Sequence, residues 1–217
     1  MRPTDSQCGL FGVSRQLQRL RVPFSNIPSC RVDSEDFKMG FEQFIRVACM
    51  VKNFKGMRIG QVGTRPAPFY SVIYNESELL EKFGIRIVTI NFAVVEQRMK
   101  QTAENCKEEI AQFIEYFNSN YKMDDQTPQY VEGMATMAVM YKNLFHEFEL
   151  DIMAAECWTA TPIMFNGLAP CAVFGALNDL GYMIACESDI HSAMTMAVLK
   201  AATLAKGKPL FGEFTVR

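Results

Sequence analysis

The chain has 217 residues, of which 49% are hydrophobic and 21% charged, a balance that excludes a disordered tail, a collagen-like fibre or a polar linker. Its 22 basic and 24 acidic residues leave a net charge of −2 with no long run of either sign, so counterion-driven binding to nucleic acid is not expected. No apolar stretch approaches the roughly 20 residues that span a bilayer, and Met1–Gln7 lacks the apolar core of a signal peptide, so a cytoplasmic protein without a membrane partner is expected.

Along the chain, Leu10, Val13, Leu17 and Leu20 fall on one helical face, followed by an extended piece from Val22 to Cys30. Ser34 caps a second helix with Glu35 and Asp36 in its first turn, and its expected inward stripe is Phe37, Phe41, Phe44, Ala48 and Val51, with Gly56 ending it. From there strands and helices alternate. Met57–Val62 reads as a strand, 63–69 as a loop, Glu76–Phe83 as a helix closed by Gly84, and Ile85–Ile90 as the next strand. Helical segments fill roughly 92–119. After a polar turn at 122–126, Thr127 caps a long helix with Pro128 in its first turn and an inner face of Tyr130, Met134, Met137, Tyr141, Leu144 and Phe148. Ile152–Cys157 and Tyr182–Cys186 are further strands, Ile190–Ala205 a helix with Met194, Ala197, Val198 and Ala201 inward, and Pro209–Val216 a last strand.

Strands joined through helices require crossovers, which predicts an α/β fold: a mainly parallel, doubly wound, Rossmann-like sheet flanked by helices, with a helical remnant of a preceding domain before it. Such a sheet binds ligands outside the carboxyl ends of its strands, which singles out loops 63–70, 157–171 and 186–191. Neither GxGxxG nor GxxxxGK[ST] follows any strand, which counts against a dinucleotide or a nucleoside triphosphate.

In Cys186-Glu187-Ser188-Asp189-Ile190-His191, two carboxylates and an imidazole stand where a strand ends and a helix begins. They could bind a divalent metal or take a proton next to a carbonyl; equally, Ser188 or Asp189 could simply cap the helix. Glu156-Cys157-Trp158-Thr159 carries the only tryptophan, suited either to stacking on a sugar or to core packing. Arg65, in the loop Gly63-Thr64-Arg65-Pro66, could hold an anionic or polyhydroxyl ligand or be a solvated charge. Seven cysteines, odd in number and without a CxxC, read as reduced thiols rather than a disulfide framework, although Cys157, Cys171 and Cys186 could gather near the strand ends. With only two histidines, His146 and His191, a zinc site is not expected. The 14 methionines read as core.

Taken in order, these segments resemble the fucose/arabinose ketol-isomerase superfamily, to which L-fucose isomerase belongs. The likeness rests on Asp5–Leu10, Val47–Phe54, Arg58–Gly63 with Arg65-Pro66 and Phe69, Asn75-Glu76 with Leu79-Leu80, Phe83–Ile85, Cys157-Trp158, Ala169–Cys171, and Ala185–Asp189 running into Ala193–Met196. The resemblance implies two α/β domains followed by a β-rich carboxyl-terminal domain, and aldose–ketose interconversion through an ene-diol with a divalent metal, typically Mn2+. It makes residues 1–33 the tail of a first α/β domain, 34–55 a connecting helix and 56–217 the second α/β domain. Asp189 and Glu187 become catalytic groups and metal ligands, with Asp189 favoured, while Trp158, Arg65, Cys186 and His191 become substrate-binding residues for a small sugar. Two departures stand out. Between Trp158 and Glu187 the only acid is Asp179, which does not align with the family's second catalytic acid, and the family's metal-binding histidine belongs to the carboxyl-terminal domain, beyond Arg217. The chain is therefore expected to be an internal section of a larger homo-oligomeric enzyme, inactive when isolated. A non-catalytic sugar-binding or assembly module is the alternative, and a cysteine-dependent enzyme a third reading.

Overall fold

The computed structural model describes residues 6–212, which divide after Cys49 into two units. The first holds α1 (Ser6–Arg19) and most of α2 (Glu35–Phe54). Ser34 opens α2 as expected: its Oγ accepts the Phe37 N–H at 3.3 Å, and Glu35 and Asp36 lie at the positive helix end. Of the expected inward stripe of α2 only Phe37 is half-buried, since Phe41, Phe44 and Val51 are each about 50% exposed and Ala48 is exposed too. Apolar residues run almost all the way round this helix, so period alone does not select a face; Ile45, Cys49 and Met50 take the half-buried positions instead.

The second unit is built on four parallel strands, β1 (Arg58–Val62), β2 (Arg86–Ile90), β3 (Ile152–Ala155) and β4 (Ile184–Ala185), in the order β2-β1-β3-β4. Among the described residues seven α-helices accompany them: α3 (Glu76–Phe83), α4 (Phe92–Asn105), α5 (Lys107–Asn120), α6 (Pro128–Glu147), α7 (Ala160–Met164), α8 (Cys171–Asp179) and α9 (Ile190–Ala202). The expected α/β architecture is present. Side chains alternate along each strand, and both resulting faces are apolar. One face, through Val62, Ile90, Met153, Ala155 and Ile184, packs on α4, α5, α6 and α8; the other, through Ile59, Ile87, Ile152, Ala154 and Ala185, packs on α3 and α9. Between β1 and β3 the chain changes direction across the sheet, and this is the switch point where a parallel α/β sheet leaves a crevice.

Local chemistry sets the element ends. Asn75 and Asn91 cap α3 and α4 by accepting the Glu78 and Val94 N–H groups, and Gly84 closes α3 at φ 70°. Thr127 caps α6 and Pro128 fills its first turn, as expected. The α6 inner face is broader than expected: every residue from Met134 to Tyr141 is buried, because helices α4, α5 and α8 all pack against it.

Two expectations shift. The strand over Tyr182–Cys186 is reduced to Ile184–Ala185, since the buried Asn178 side chain occupies its free edge, accepting the Ile184 N–H at 2.6 Å and donating to the Ile184 carbonyl at 3.3 Å. No strand forms over 209–212, and the rest of the segment expected at Pro209–Val216 lies outside the described residues. Helix α8, in a stretch with little polar–apolar alternation, was legible as neither strand nor helix. Asn178→Ala removes both edge hydrogen bonds and is expected to cost about 1 to 2 kcal/mol in urea unfolding; an unchanged midpoint would show that the edge needs no such cover.

Candidate functional site

The loops after β1 and β4 border a cavity of about 660 Å³ lined by residues 68–72, by Glu187 and Asp189 with Ser192, Thr195, Met196 and Leu199 of α9, and by residues 210–212. Of the three loops expected to carry the site, those after β1 and β4 supply its walls.

The loop after β1 is held from within. Gly63 takes φ 71°, and its N–H donates to the Ile90 carbonyl at 3.0 Å. Arg65 turns back on its own loop: its Nη1 donates to the Pro66 and Ala67 carbonyls at 3.1 and 2.9 Å, while the guanidinium lies 5.2 Å above the Tyr70 ring. The cation thereby fixes the Pro66–Tyr70 turn that brings Phe69 and Tyr70 to the cavity wall. Trp158 is half exposed, its ring 5.7 Å from that of Phe69, so it backs a lining residue.

The loop after β4 carries the acids. Glu187 and Ser188 are buried, and both are in the left-handed region at φ 64° and 53°. Two adjacent non-glycine residues there cost about 1 to 2 kcal/mol each, a strain tolerated where surroundings over-determine it. The restraint is visible: Ser188 Oγ reaches across β3 and donates to the Val62 carbonyl at 2.9 Å, a carbonyl that also accepts the Glu156 N–H. This turn puts Glu187 and Asp189 on the same cavity wall. Asp189 also caps α9, its Oδ1 accepting the Ser192 N–H at 3.0 Å and its Oδ2 the Ser192 hydroxyl at 2.6 Å. Of the two roles read from the sequence for this residue, the cap is the one these bonds show; the residue also lines the cavity. His191 is exposed on the first turn of α9, and neither it nor the half-buried Cys186 lines the cavity.

Glu156, next in line after β3, is the group that sequence reasoning passed over. It is 1% exposed, and its carboxylate accepts the backbone N–H groups of Thr159, Ala160 and Thr161 and the hydroxyls of Thr159 and Thr161. Burial alone would raise its pKa, but the donors from Thr159 and Thr161 outweigh it and hold the carboxyl below its ordinary value. An acid closing an apolar strand, with threonines three and five positions later, is the signal that would have revealed it. Its role is to anchor the segment that carries Cys157 and Trp158.

Among the described residues, no group of three or more His, Cys, Asp or Glu side chains is placed to hold a metal ion. Glu187 and Asp189 offer two carboxylates, with both Asp189 oxygens already accepting from Ser192. Divalent cations of this kind take six or so oxygen ligands, so these residues do not form a complete metal site.

Comparison with known proteins finds a likeness to sugar isomerases. Residues 1–55 match the family described as fucose/sulfoquinovose isomerase, N-terminal domain. The chain is 29% identical over 170 residues to the sulfoquinovose isomerase of Alkalicoccus urumqiensis, a match covering 77% of this chain and 37% of that protein. It is 28% identical over 158 residues to that of Priestia megaterium, covering 72% of this chain and 34% of the relative. The likeness to the fucose isomerase superfamily is thus found along about three quarters of the chain, and the match spans little more than a third of those relatives. Among the described residues, no helix is long and apolar enough to cross a membrane.

Proposed function

We propose that this chain carries part of the sugar site of an aldose–ketose isomerase. The observation that carries the reading is that Glu187 and Asp189, raised by a strained turn at the end of β4, share one cavity wall opposite the Arg65-braced loop after β1. Moving a carbonyl between C1 and C2 of a sugar needs a base near those carbons and stabilisation of the enediolate. Asp189 is proposed as the proton-transfer group, its orientation fixed by Ser192, with Glu187 beside it. Phe69 and Tyr70 give the sugar ring an aromatic wall. Mn2+, where it takes part, would meet Glu187 and Asp189 as a partial ligand set. With one acidic pair and no complete metal site, the isolated chain is proposed to bind sugar without turning it over.

The relatives' name points to a sulfonated hexose. Among the described residues, the cavity lining includes two acids and no lysine or arginine, so Arg65, stacked on the lining Tyr70, is proposed as the cation a sulfonate would meet. The alternative, a sugar-binding module without catalysis, draws on the service of Asp189 as a helix cap.

Asp189→Asn separates the two, because asparagine caps a helix about as well as aspartate. Its melting temperature is expected to match that of the parent, while manganese binding followed by titration calorimetry falls at least tenfold. Equal, negligible binding by both forms would leave the module. Manganese-dependent turnover of fucose, arabinose or sulfoquinovose by the isolated chain would overturn the proposal of an incomplete site.

A further inference from the structure

None of the 20 residues of α2 is buried, although the helix is rich in large apolar side chains. Phe37, Phe41, Phe44, Ala48 and Val51 follow one another at spacings of four, three, four and three residues. That alternation is the repeat that keeps one stripe of a helix facing a partner helix in a left-handed coiled coil. The stripe is formed but uncovered. Phe41, Phe44 and Val51 are each about half exposed, and Phe37 stacks on Phe41 with ring centroids 5.9 Å apart.

Two properties of α2 identify the partner helix as a second α2. First, the stripe is complementary to itself when run antiparallel. A two-fold axis between Glu42 and Gln43 sets Phe37 opposite Ala48 of the second copy and Phe41 opposite Phe44. A large side chain then meets a small one at each end of the stripe, and rings meet at its centre. Beside the stripe, this register puts Lys38 next to Ile45 and Gly40 next to Val47, so no two like charges meet there. Second, the helix is acidic at one end and basic at the other. Glu35 and Asp36 occupy its first turn and Lys52 its last, with Lys55 just beyond. Antiparallel pairing sets the acidic end of each copy against the basic end of the other and opposes the two helix dipoles, whereas parallel pairing sets like against like.

We propose that α2 is a self-association surface, through which two copies of this chain pair antiparallel about a two-fold axis between Glu42 and Gln43. Removing the half-exposed phenylalanines from water drives the pairing, and the charges at the helix ends select its direction. The pairing uses α2 alone and is independent of the sugar site.

Sedimentation equilibrium of the full chain is expected to give a dimer. Phe41→Asp combined with Phe44→Asp should return a monomer, raising the dissociation constant by about a hundredfold or more. Far-UV circular dichroism should stay unchanged, since both side chains are already half exposed. The register is tested with Phe37→Cys and Ala48→Cys together, in a Cys49→Ser background, after mild oxidation and trypsin digestion. Along one straight helix positions 37 and 48 lie about 16 Å apart, beyond the reach of a disulfide, so a bond between them joins two chains. The expected product links the peptide 32–38 to the peptide 47–52 and is lost on reduction. A bond between like positions of the two chains, no bond at position 37 or 48, a monomeric parent chain, or a dimer that survives both aspartates would overturn the proposal.

Discussion

Glu156→Ala is expected to destabilise the protein by about 3 to 5 kcal/mol, among the largest effects of any single polar substitution in the second unit. The wild-type carboxylate serves three backbone N–H groups and two hydroxyls in a position only 1% exposed. Alanine removes the acceptor of the buried Thr161 N–H and of the donors of Thr159 and Ala160, of which the exposed Thr159 can turn to water, while the Thr161 hydroxyl keeps the backbone carbonyl of residue 156 at 2.9 Å; an unmade hydrogen bond at a buried donor costs about 1 to 3 kcal/mol. The effect is also pH-dependent. Because the donors hold the folded carboxyl below the ordinary value of 4.5, its contribution is complete above that value and is lost as pH falls through the depressed folded value. Glu156→Gln, which cannot titrate, should therefore lose stability less steeply than wild type between neutral pH and about pH 3. Urea unfolding at a series of pH values, followed by Trp158 fluorescence, measures both. Parallel profiles for wild type and the glutamine variant would show that the segment is not anchored by a charged carboxylate.

Glu156 also shows where sequence reasoning stopped. The order of strands and helices was legible because apolar period and caps are local: Asn75, Asn91, Thr127 and Asp189 each cap a helix, and Ile152–Ala155 is apolar at every position because both its faces are covered. The acidic turn Glu187–Asp189 was legible as a candidate for the same reason, being the polar break between an apolar strand and an apolar helix. What could not be read was which polar group spends itself on structure. Arg65 and Glu156 both stand at strand ends among turn residues, and each satisfies backbone groups of its own loop. Those bonds depend on how the loop folds back, which no periodicity encodes. The α2 stripe failed for a related reason: a helix apolar on several sides does not name the side that is covered. That the loops after β3 and β4 start side by side could be raised only as a possibility, since Cys157 and Cys186 are 29 residues apart and the pairing of β3 with β4 belongs to the fold.

The same switch point gives the second large effect, through Gly63. Gly63→Ala is expected to cost about 3 to 4 kcal/mol, whereas Gly60→Ala, three residues earlier and inside β1, should cost about half as much. At Gly63 the backbone has φ 71°, where a Cβ costs about 1 to 2 kcal/mol. That Cβ would also lie 2.5 Å from the Phe92 ring edge and 3.1 Å from the Glu156 Cβ. Neither neighbour gives way cheaply, since Phe92 begins α4 and Glu156 is fixed by five hydrogen bonds. At Gly60 the nearest atoms a Cβ would meet all belong to the Leu150 side chain, and a leucine tip can rotate aside. Both substitutions gain a few tenths to 1 kcal/mol by restricting the unfolded chain, which cancels in the comparison. The Gly63 variant should also disturb the carboxylate that anchors the Trp158 segment, so its native tryptophan spectrum shifts while that of the Gly60 variant does not. If the Gly60 substitution proves the costlier, close packing at the carboxyl end of β1 is not what fixes the two loops that frame the cavity.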